Sequence, residues 1–331
     1  MHIAILTGGI STERPVALRS SANMKEWIGI SGNTSDIYDL PKEIDQFLLN
    51  YKKYDLIVPM FHGRYGEDGI ISGLCETLGL RVAFSPSGVH ALCIDKYHTN
   101  CVIEKLGIKI PKTWIPGLPI PQKFLPTEEH QAIEGALIIK PNQGGSSLAT
   151  TKVRNLEEFE IGIRMVYDVI SSLAKERIDL LSLGENSQFI RHFPTLSDIP
   201  MVQECIEGKE YTVGVYKDST GTHVLPIIEI ITLKGAFFDY EEKYETDGSN
   251  EVFSDIPHTL KSELETQSAH IYDFIGCRGI IRIDWRYDGK DIYFLEVNTI
   301  PGFSKASLVP KMWRKAGKSE KEFIRMLSFK D

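Results

Sequence analysis

The chain has 331 residues, enough for about two domains and for a third if they are small. At 42% hydrophobic and 25% charged, with 27 Gly and 16 Pro, its composition excludes disordered, collagen-like and disulfide-scaffold classes. A formal net charge of −8 argues against bulk electrostatic binding to nucleic acid or an anionic membrane, and allows a local basic pocket. His2 to Thr7 is an apolar run that reads as a strand; it stops at Gly8-Gly9 and leads into a helix from about Val16 to Trp27. The run is too short for a signal peptide, and no stretch of 18 apolar residues follows, so a cytoplasmic chain with no membrane partner is expected. The unit then recurs: Tyr54 to Met60 is strand-like, a loop carries Gly63, Gly66 and Gly69, and a helix runs through Leu78. Such alternation implies a parallel sheet covered on both faces. Ligands bind at the carboxyl ends of such strands, so Gly8 to Glu13 and His62 to Gly69 are expected to line one site.

Asp95 to Leu106 reads as a helix, and five prolines between Pro111 and Pro126 exclude regular helix beyond it. Ala136 to Lys140 and Leu148 to Val153 read as short strands. Phe159, Ile163, Val166, Ile170 and Leu173 then recur at spacings of 4, 3, 4 and 3, one apolar face of a helix. Strands dominate from Met201: Met201 to Cys205, Tyr211 to Tyr216, Val224 to Ile231, Gly279 to Tyr287 and Ile292 to Asn298. Boundaries near residues 94 and 200 divide the chain into 1–93, 94–200 and 201–331. The five cysteines are odd in number and never in a CxxC pair, which fits a reducing compartment and gives neither a disulfide framework nor a zinc site.

Asp288-Gly289 marks a hairpin turn, and a turn centred near residue 290 pairs Asp284 with Glu296 and Arg282 with Asn298. Side chains alternate along a strand, so these four share one face while Ile281, Ile283, Leu295 and Val297 point to the other. Two carboxylates facing each other across about 5 Å repel, so something cationic belongs between them. Oxygen ligands of this kind suit Mg²⁺ or Mn²⁺. Spacing alone equally allows a solvated face with an ion pair to Arg282.

Lys140-Pro-Asn-Gln-Gly-Gly-Ser-Ser147 offers small residues whose free amides can wrap phosphate oxygens, with a lysine for charge. It is no Walker A loop, and a plain hairpin turn is the alternative. Gly8 to Arg14 lacks the spacing of a dinucleotide fingerprint, which disfavours NAD. His62 sits in a Gly-rich loop, and Tyr240 to Tyr244 precede a polar, loop-like stretch.

Taken in order, these segments resemble the ATP-grasp family and, within it, the D-alanine–D-alanine ligases. Six blocks carry the likeness: GGxSxER (Gly8 to Arg14), HGxxGEDG (His62 to Gly69), DKxxT (Asp95 to Thr99), KPxxxGSS (Lys140 to Ser147), YExKY (Tyr240 to Tyr244), and RxD with ExNTxPG and SLxP (Arg282 to Pro310). The resemblance implies an α/β ATP-grasp fold: an N-terminal parallel-sheet domain, then two α+β domains clamping ATP. It implies an ATP-dependent ligase that phosphorylates the carboxylate of one D-alanine, lets the amine of a second attack the acyl phosphate, and so supplies a peptidoglycan precursor.

By the same resemblance, Lys96, Lys140 and Lys243 would meet ATP phosphates, Glu210 the ribose, and Gln203, Glu204 and Ile206 the adenine edge. Asp284, Glu296 and Asn298 would hold two Mg²⁺ or Mn²⁺ ions. Glu13 would take the ammonium of the first D-alanine and form a triad with Ser146 and Tyr244, while His62 lies beside that substrate. Arg282 and the Gly302 N–H would form an oxyanion hole, and Ser307 and the Leu308 N–H would meet the second carboxylate.

The chain departs from the family at Pro15 and Ala17, which would loosen the first helix, at Gln203 in place of a glutamate, and at Phe303-Ser304. By the same resemblance it is longer than most relatives between Val153 and Met201, an insertion at about 155–200. A homodimer is expected from resemblance alone. The alternatives are an ATP-grasp ligase for other amino acids and a nucleotide-binding homologue without catalysis.

Overall fold

A computed structural model of the chain describes residues 1–9, 11, 13–115, 132–144, 149–180, 199–232 and 249–328. β1 (His2–Gly8), β2 (Thr34–Leu40) and β3 (Leu56–Met60) form a parallel sheet in the order β2-β1-β3. The apolar run of β1 is buried on both sides, and its alternating side chains feed two cores. Ile3 and Ile5 pack with Trp27, whereas Ala4 and Leu6 pack with Phe47 and Phe61. Helix α1 (Arg14–Ile30) follows β1, and Pro15 lies in its first turn. An N–H there has no helical partner, so the proline starts the helix rather than loosening it, contrary to the sequence-based expectation.

Helices α2 (Ile44–Asn50), α3 (Ile70–Thr77), α4 (Ser87–Ile94) and α5 (Lys96–Lys105) follow. The loop into α3 requires glycine at residue 69. Its φ is +78°, and a Cβ there would lie 2.3 Å from the Ser87 carbonyl oxygen. Helix α5 is capped by Asp95, whose carboxylate accepts the His98 N–H at 3.0 Å.

A second sheet, antiparallel, runs β4 (Thr113–Trp114), β7 (Pro200–Glu204), β5 (Ala132–Pro141), β6 (Thr151–Asn155). Helix α6 (Leu156–Leu180) covers one face of it. Val166 is buried there, with Phe159, Ile163 and Ile170 partly buried, against Leu137, Ile139, Val153 and Val202. The side chain of Leu173 and residues 181–198 of the expected insertion lie outside the described set.

The third sheet is six-stranded: β11 (Ser249–Val252), β10 (Ile228–Thr232), β8 (Lys209–Asp218), β12 (Ile280–Tyr287) and β13 (Ile292–Asn298) in that order, with β9 (Gly221–Val224) paired to β8. The single strand expected from Val224 to Ile231 is in fact β9 and β10. Pro226 has no N–H for a ladder, and the Leu225 N–H turns to the Gly214 carbonyl at 2.8 Å. Tyr211, Val213, Ile281, Ile283 and Trp285 form one apolar face against α7 (His258–Ile275). On the other face Tyr216 and Ile280 join the core that holds Ile3 and Trp27. Beyond them that face turns polar.

Helices α8 (Leu308–Lys315) and α9 (Glu320–Leu327) close the chain onto α1. Trp27 meets Phe303 edge-on at 4.7 Å and Phe323 at 5.2 Å, so Phe303 is a core aromatic and its departure from the family pattern has a packing reason. Trp27→Ala is expected to cost about 3–5 kcal/mol by removing a buried aromatic that joins both ends of the chain. Urea unfolding reads this directly, and a cost under about 1 kcal/mol would contradict the packing.

Candidate active site

The hairpin β12–β13 pairs Arg282 with Asn298, Ile283 with Val297 and Asp284 with Glu296, the register expected from the turn and the alternation. One detail differs. The ladder shifts after Asp284, so Trp285 pairs with Phe294, and Leu295 is the extra bulge residue. Leu295 is therefore only half-buried and outside the core holding Ile281, Ile283 and Val297, while Phe294 takes its place. Strand β8 lies on the other side of β12, placing Thr212 beside Asp284 and Glu210 beside Arg286. Glu210, Thr212, Arg282, Asp284, Arg286, Glu296 and Asn298 thus occupy one polar face.

Protein cations flank the facing carboxylates. Arg282 grips Asp284 as a fork, with Nε 3.0 Å from Oδ1 and Nη2 2.9 Å from Oδ2, and the Thr212 hydroxyl donates to Oδ1 at 2.6 Å. Lys96 Nζ stands 3.8 Å from Glu296. Between the carboxylates sits the Asn298 amide, its nitrogen 3.1 Å from Asp284 Oδ2 and 3.5 Å from Glu296 Oε1. Glu210 pairs with Arg286 at 2.9 Å.

This face opens into a cleft of about 870 Å³ whose other wall comes from the loops after β1 and β3. Glu13, His62, Arg282, Asp284, Gly302 and Ser307 all line it. Gly8 to Glu13 and His62 to Gly69 therefore do contribute to one site, as the parallel sheet implied. Glu13 is buried just ahead of α1, in a cleft where a cation would find several acids, Glu67, Glu210 and Asp284 among them. Burial, and then the charge of Glu13, push the Glu67 carboxyl up to about 8, against the Gly63 N–H that it accepts.

Gly302 precedes α8, and a Cβ on it would lie 3.1 Å from Ser307 Oγ, a tight contact. Ser307 Oγ accepts the Ser304 N–H at 2.9 Å, and Leu308 opens the helix, whose first N–H groups are free to meet an anion. A carboxylate held there would sit beside the oxyanion-hole candidates Arg282 and Gly302.

Of the residues expected around a nucleotide, Glu210 and Asn298 line this cleft, and the others lie beyond it. Lys96 reaches the Gly144 carbonyl and, with Glu296 and Asn298, lines a smaller void of about 20 Å³ that also touches Glu67. Lys140 pairs with Met201, and Ile138 with Gln203, so these four share the face of the four-stranded sheet opposite α6. Gln203 is buried and donates to the Thr113 hydroxyl at 3.0 Å, while Glu204 ends β7 two residues before Ile206. Ser146, Lys243 and Tyr244 lie outside the described residues. Among the described residues no group of three or more His, Cys, Asp or Glu is gathered to hold a metal ion, and no helix is long and apolar enough to cross a membrane.

Sequence reasoning missed Thr212 and Ser20. Thr212 is buried against Asp284, and Ser20 Oγ lies 2.9 Å from His62 Nε2. A hydroxyl within a strand or helix carries no local signal of such a role; only the register of β8 against β12 could have pointed to Thr212.

Comparison with known proteins adds an independent line. The family model described as D-ala D-ala ligase C-terminus matches residues 182–328. The D-alanine–D-alanine ligase of Aquifex aeolicus is 33% identical over 331 residues, covering 99% of each chain. The solved D-alanine–D-alanine ligase of Bacillus anthracis, complexed with ATP, superposes with a TM-score of 0.72 at 24% identity over 99% of this chain and 96% of that one. The VanG D-Ala:D-Ser ligase of Enterococcus faecalis does so with a TM-score of 0.71 at 25% identity, over 98% of both chains.

Proposed function

The chain belongs to the D-alanine–D-alanine ligase family, and from that premise we propose that its cleft joins two D-alanines at the expense of ATP, giving D-alanyl-D-alanine, ADP and phosphate. The observation that carries the reading is one cleft lined by Glu13, Arg282, Gly302 and Ser307. An acid for an ammonium, a fixed cation and a backbone donor for an oxyanion, and a helix start for a carboxylate are what ligation of two amino acids requires.

In this reading the first D-alanine places its ammonium on Glu13 and its carboxylate toward Arg282. Phosphorylation there makes an acyl phosphate. The second D-alanine, held through its carboxylate by Ser307 and the Leu308 N–H, attacks with its amine. Arg282 and the Gly302 N–H take the oxyanion as the carbonyl becomes tetrahedral, and phosphate leaves as the intermediate collapses. Burial keeps His62 neutral, so it shapes the wall beside the first substrate and takes no part in proton transfer. Glu13, Ser146 and Tyr244 close the site by resemblance, which matters because water would hydrolyse the acyl phosphate.

Lys96, Lys140 and Lys243 are assigned to the phosphates of ATP, Glu210 to the ribose, and Gln203, Glu204 and Ile206 to the adenine edge. The metal donors fit a hard cation. Asp284 and Glu296 face each other with the Asn298 amide directed at both, and turning that amide would present its oxygen to the same point. Two carboxylates and an amide leave the remaining positions to phosphate oxygens and water. Two Mg²⁺ or Mn²⁺ ions held there would neutralise the transferring phosphoryl group.

The three sheets support a division into residues 1–93, 94–200 and 201–331. The reading also carries a homodimer in the cytoplasm, with the dipeptide entering peptidoglycan precursor.

The test is ADP release with Mg²⁺–ATP against single D- and L-amino acids, D-serine and D-lactate included, and their pairs. Release with D-alanine alone, with the dipeptide confirmed by mass, is expected. Release only with another acid would reassign the substrate, and silence throughout would overturn the reading.

A further inference from the structure

We propose that Ser20 is a positioning residue for the ligation: together with His62 it clamps both flanks of Pro301-Gly302 and so fixes the Gly302 N–H that faces the reacting carbonyl. The inference rests on the reading of Gly302 as an oxyanion donor given above.

Ser20 lies on α1 with no exposure to solvent, and its Oγ stands at a junction of three segments. His62 Nε2 is 2.9 Å away, and the Phe303 N–H donates to the same oxygen at 3.1 Å. A serine hydroxyl has one proton. With the Phe303 N–H donated to it, Ser20 Oγ keeps its proton and one lone pair, so the ring's other partner decides the direction: the Ile300 carbonyl can only accept, the ring donates there, and Nε2 accepts the Ser20 proton. The ring proton then sits on Nδ1, and the imidazole hydrogen-bonds the Ile300 carbonyl. Burial, with the charges of Arg282 and Arg19, pushes His62 down to about 4, so the ring is neutral at neutral pH and holds this one tautomer.

The relay therefore runs from the Phe303 N–H through Ser20 and His62 to the Ile300 carbonyl. Those two backbone groups stand on either side of Pro301-Gly302. A third tie, from the Asn23 amide nitrogen to the Phe303 carbonyl at 2.7 Å, holds the same loop to α1 one turn further along. Both nitrogens of His62 are consumed by protein, which leaves it neither a proton nor a lone pair for substrate. Its presence in the cleft wall is explained by what it holds.

An oxyanion donor counts only when aimed before the reaction begins. Losing the clamp should therefore lower kcat and leave KM nearly alone, the pattern of an interaction made in the transition state. Removing such a donor costs about 10²–10³, so loosening one is expected to cost about tenfold.

The experiment uses the full chain as wild type, Ser20→Ala and Ser20→Thr. In ¹⁵N spectra of the wild type at pH 7, His62 should be protonated at Nδ1 and bare at Nε2. Ser20→Ala should mix the two tautomers and lower kcat about tenfold with KM for D-alanine within roughly twofold, and Ser20→Thr, which keeps the hydroxyl, should restore both. A wild-type ring that is charged or protonated at Nε2 would overturn the clamp without any variant being made. So would Ser20→Ala at full wild-type kcat. A wild type that never turns over D-alanine would instead overturn the functional reading, and the tautomer would still decide the clamp.

Discussion

Replacing Arg282 by alanine is expected to lower kcat by about 10²–10³ while KM for D-alanine changes far less. The guanidinium is held as a fork on Asp284 by bonds of 2.9 and 3.0 Å, and its side chain is only 16% exposed. It is a charge fixed before the reaction, and such donors stabilise an oxyanion without reorganising. The loss is not confined to catalysis. Among the described residues Asp284 would keep the Thr212 hydroxyl and the Asn298 amide, so some stability should go too, and melting curves separate that part. Arg282→Lys, which restores charge without the fork, should recover only part of the rate. A kcat for Arg282→Ala within about threefold of wild type would remove Arg282 from the oxyanion hole.

Glu296→Gln is expected to raise the Mg²⁺ concentration for half-maximal activity by at least the 10–100-fold typical of losing even an outer-shell metal partner. Glu296 faces Asp284 across the hairpin, stands 3.8 Å from Lys96 and 3.5 Å from the Asn298 amide, and lies on the polar face, so the substitution spares the core and the register. The melting point of the bare protein should stay close to wild type. Ligands that bind only the folded state raise that point in proportion to the logarithm of their saturation. Mg²⁺–ATP should therefore stabilise the wild type and much less the variant. Equal shifts in both proteins would exclude Glu296 as a ligand.

How much of this was legible in advance depended on the range of the physics. The facing pairs Arg282–Asn298 and Asp284–Glu296 follow from a local Asp-Gly turn and strict alternation, both written within seventeen residues of chain, and both hold. The bulge that expels Leu295 does not, because one extra residue in a ladder leaves no mark in composition. β2 escaped notice because an edge strand with Asp36 and Asp39 among its apolar residues lacks a buried strand's run. Helix α7 did carry a signal, in Leu260, Leu264 and Ile271 on one face. The break at Pro226 was legible too, since a proline inside an apolar run argues against one continuous strand.

The site divides along the same line. Glu13 and His62 could be placed on one cleft because loops at the carboxyl ends of parallel strands converge, and they do. The link from Ser20 to His62 spans 42 residues, and its link to Phe303 spans 283. Neither distance is bridged by periodicity, so only the packed fold reveals them. The cation expected between the two carboxylates was a sound electrostatic argument with an incomplete answer. In the chain alone Arg282 and Lys96 meet the carboxylates, and the Asn298 amide bridges them.

The central claim is that a carboxylate is activated as an acyl phosphate in the Glu13–Arg282–Gly302 cleft, and the fate of its oxygen tests that most directly. With D-alanine labelled by ¹⁸O in the carboxylate, phosphorylation makes one labelled oxygen the bridge to phosphorus, and attack by the second amine expels it with the phosphate. Mass analysis of the product phosphate should find one ¹⁸O for each dipeptide formed. Phosphate free of label, with the expelled ¹⁸O carried into AMP or released as water, would contradict the account.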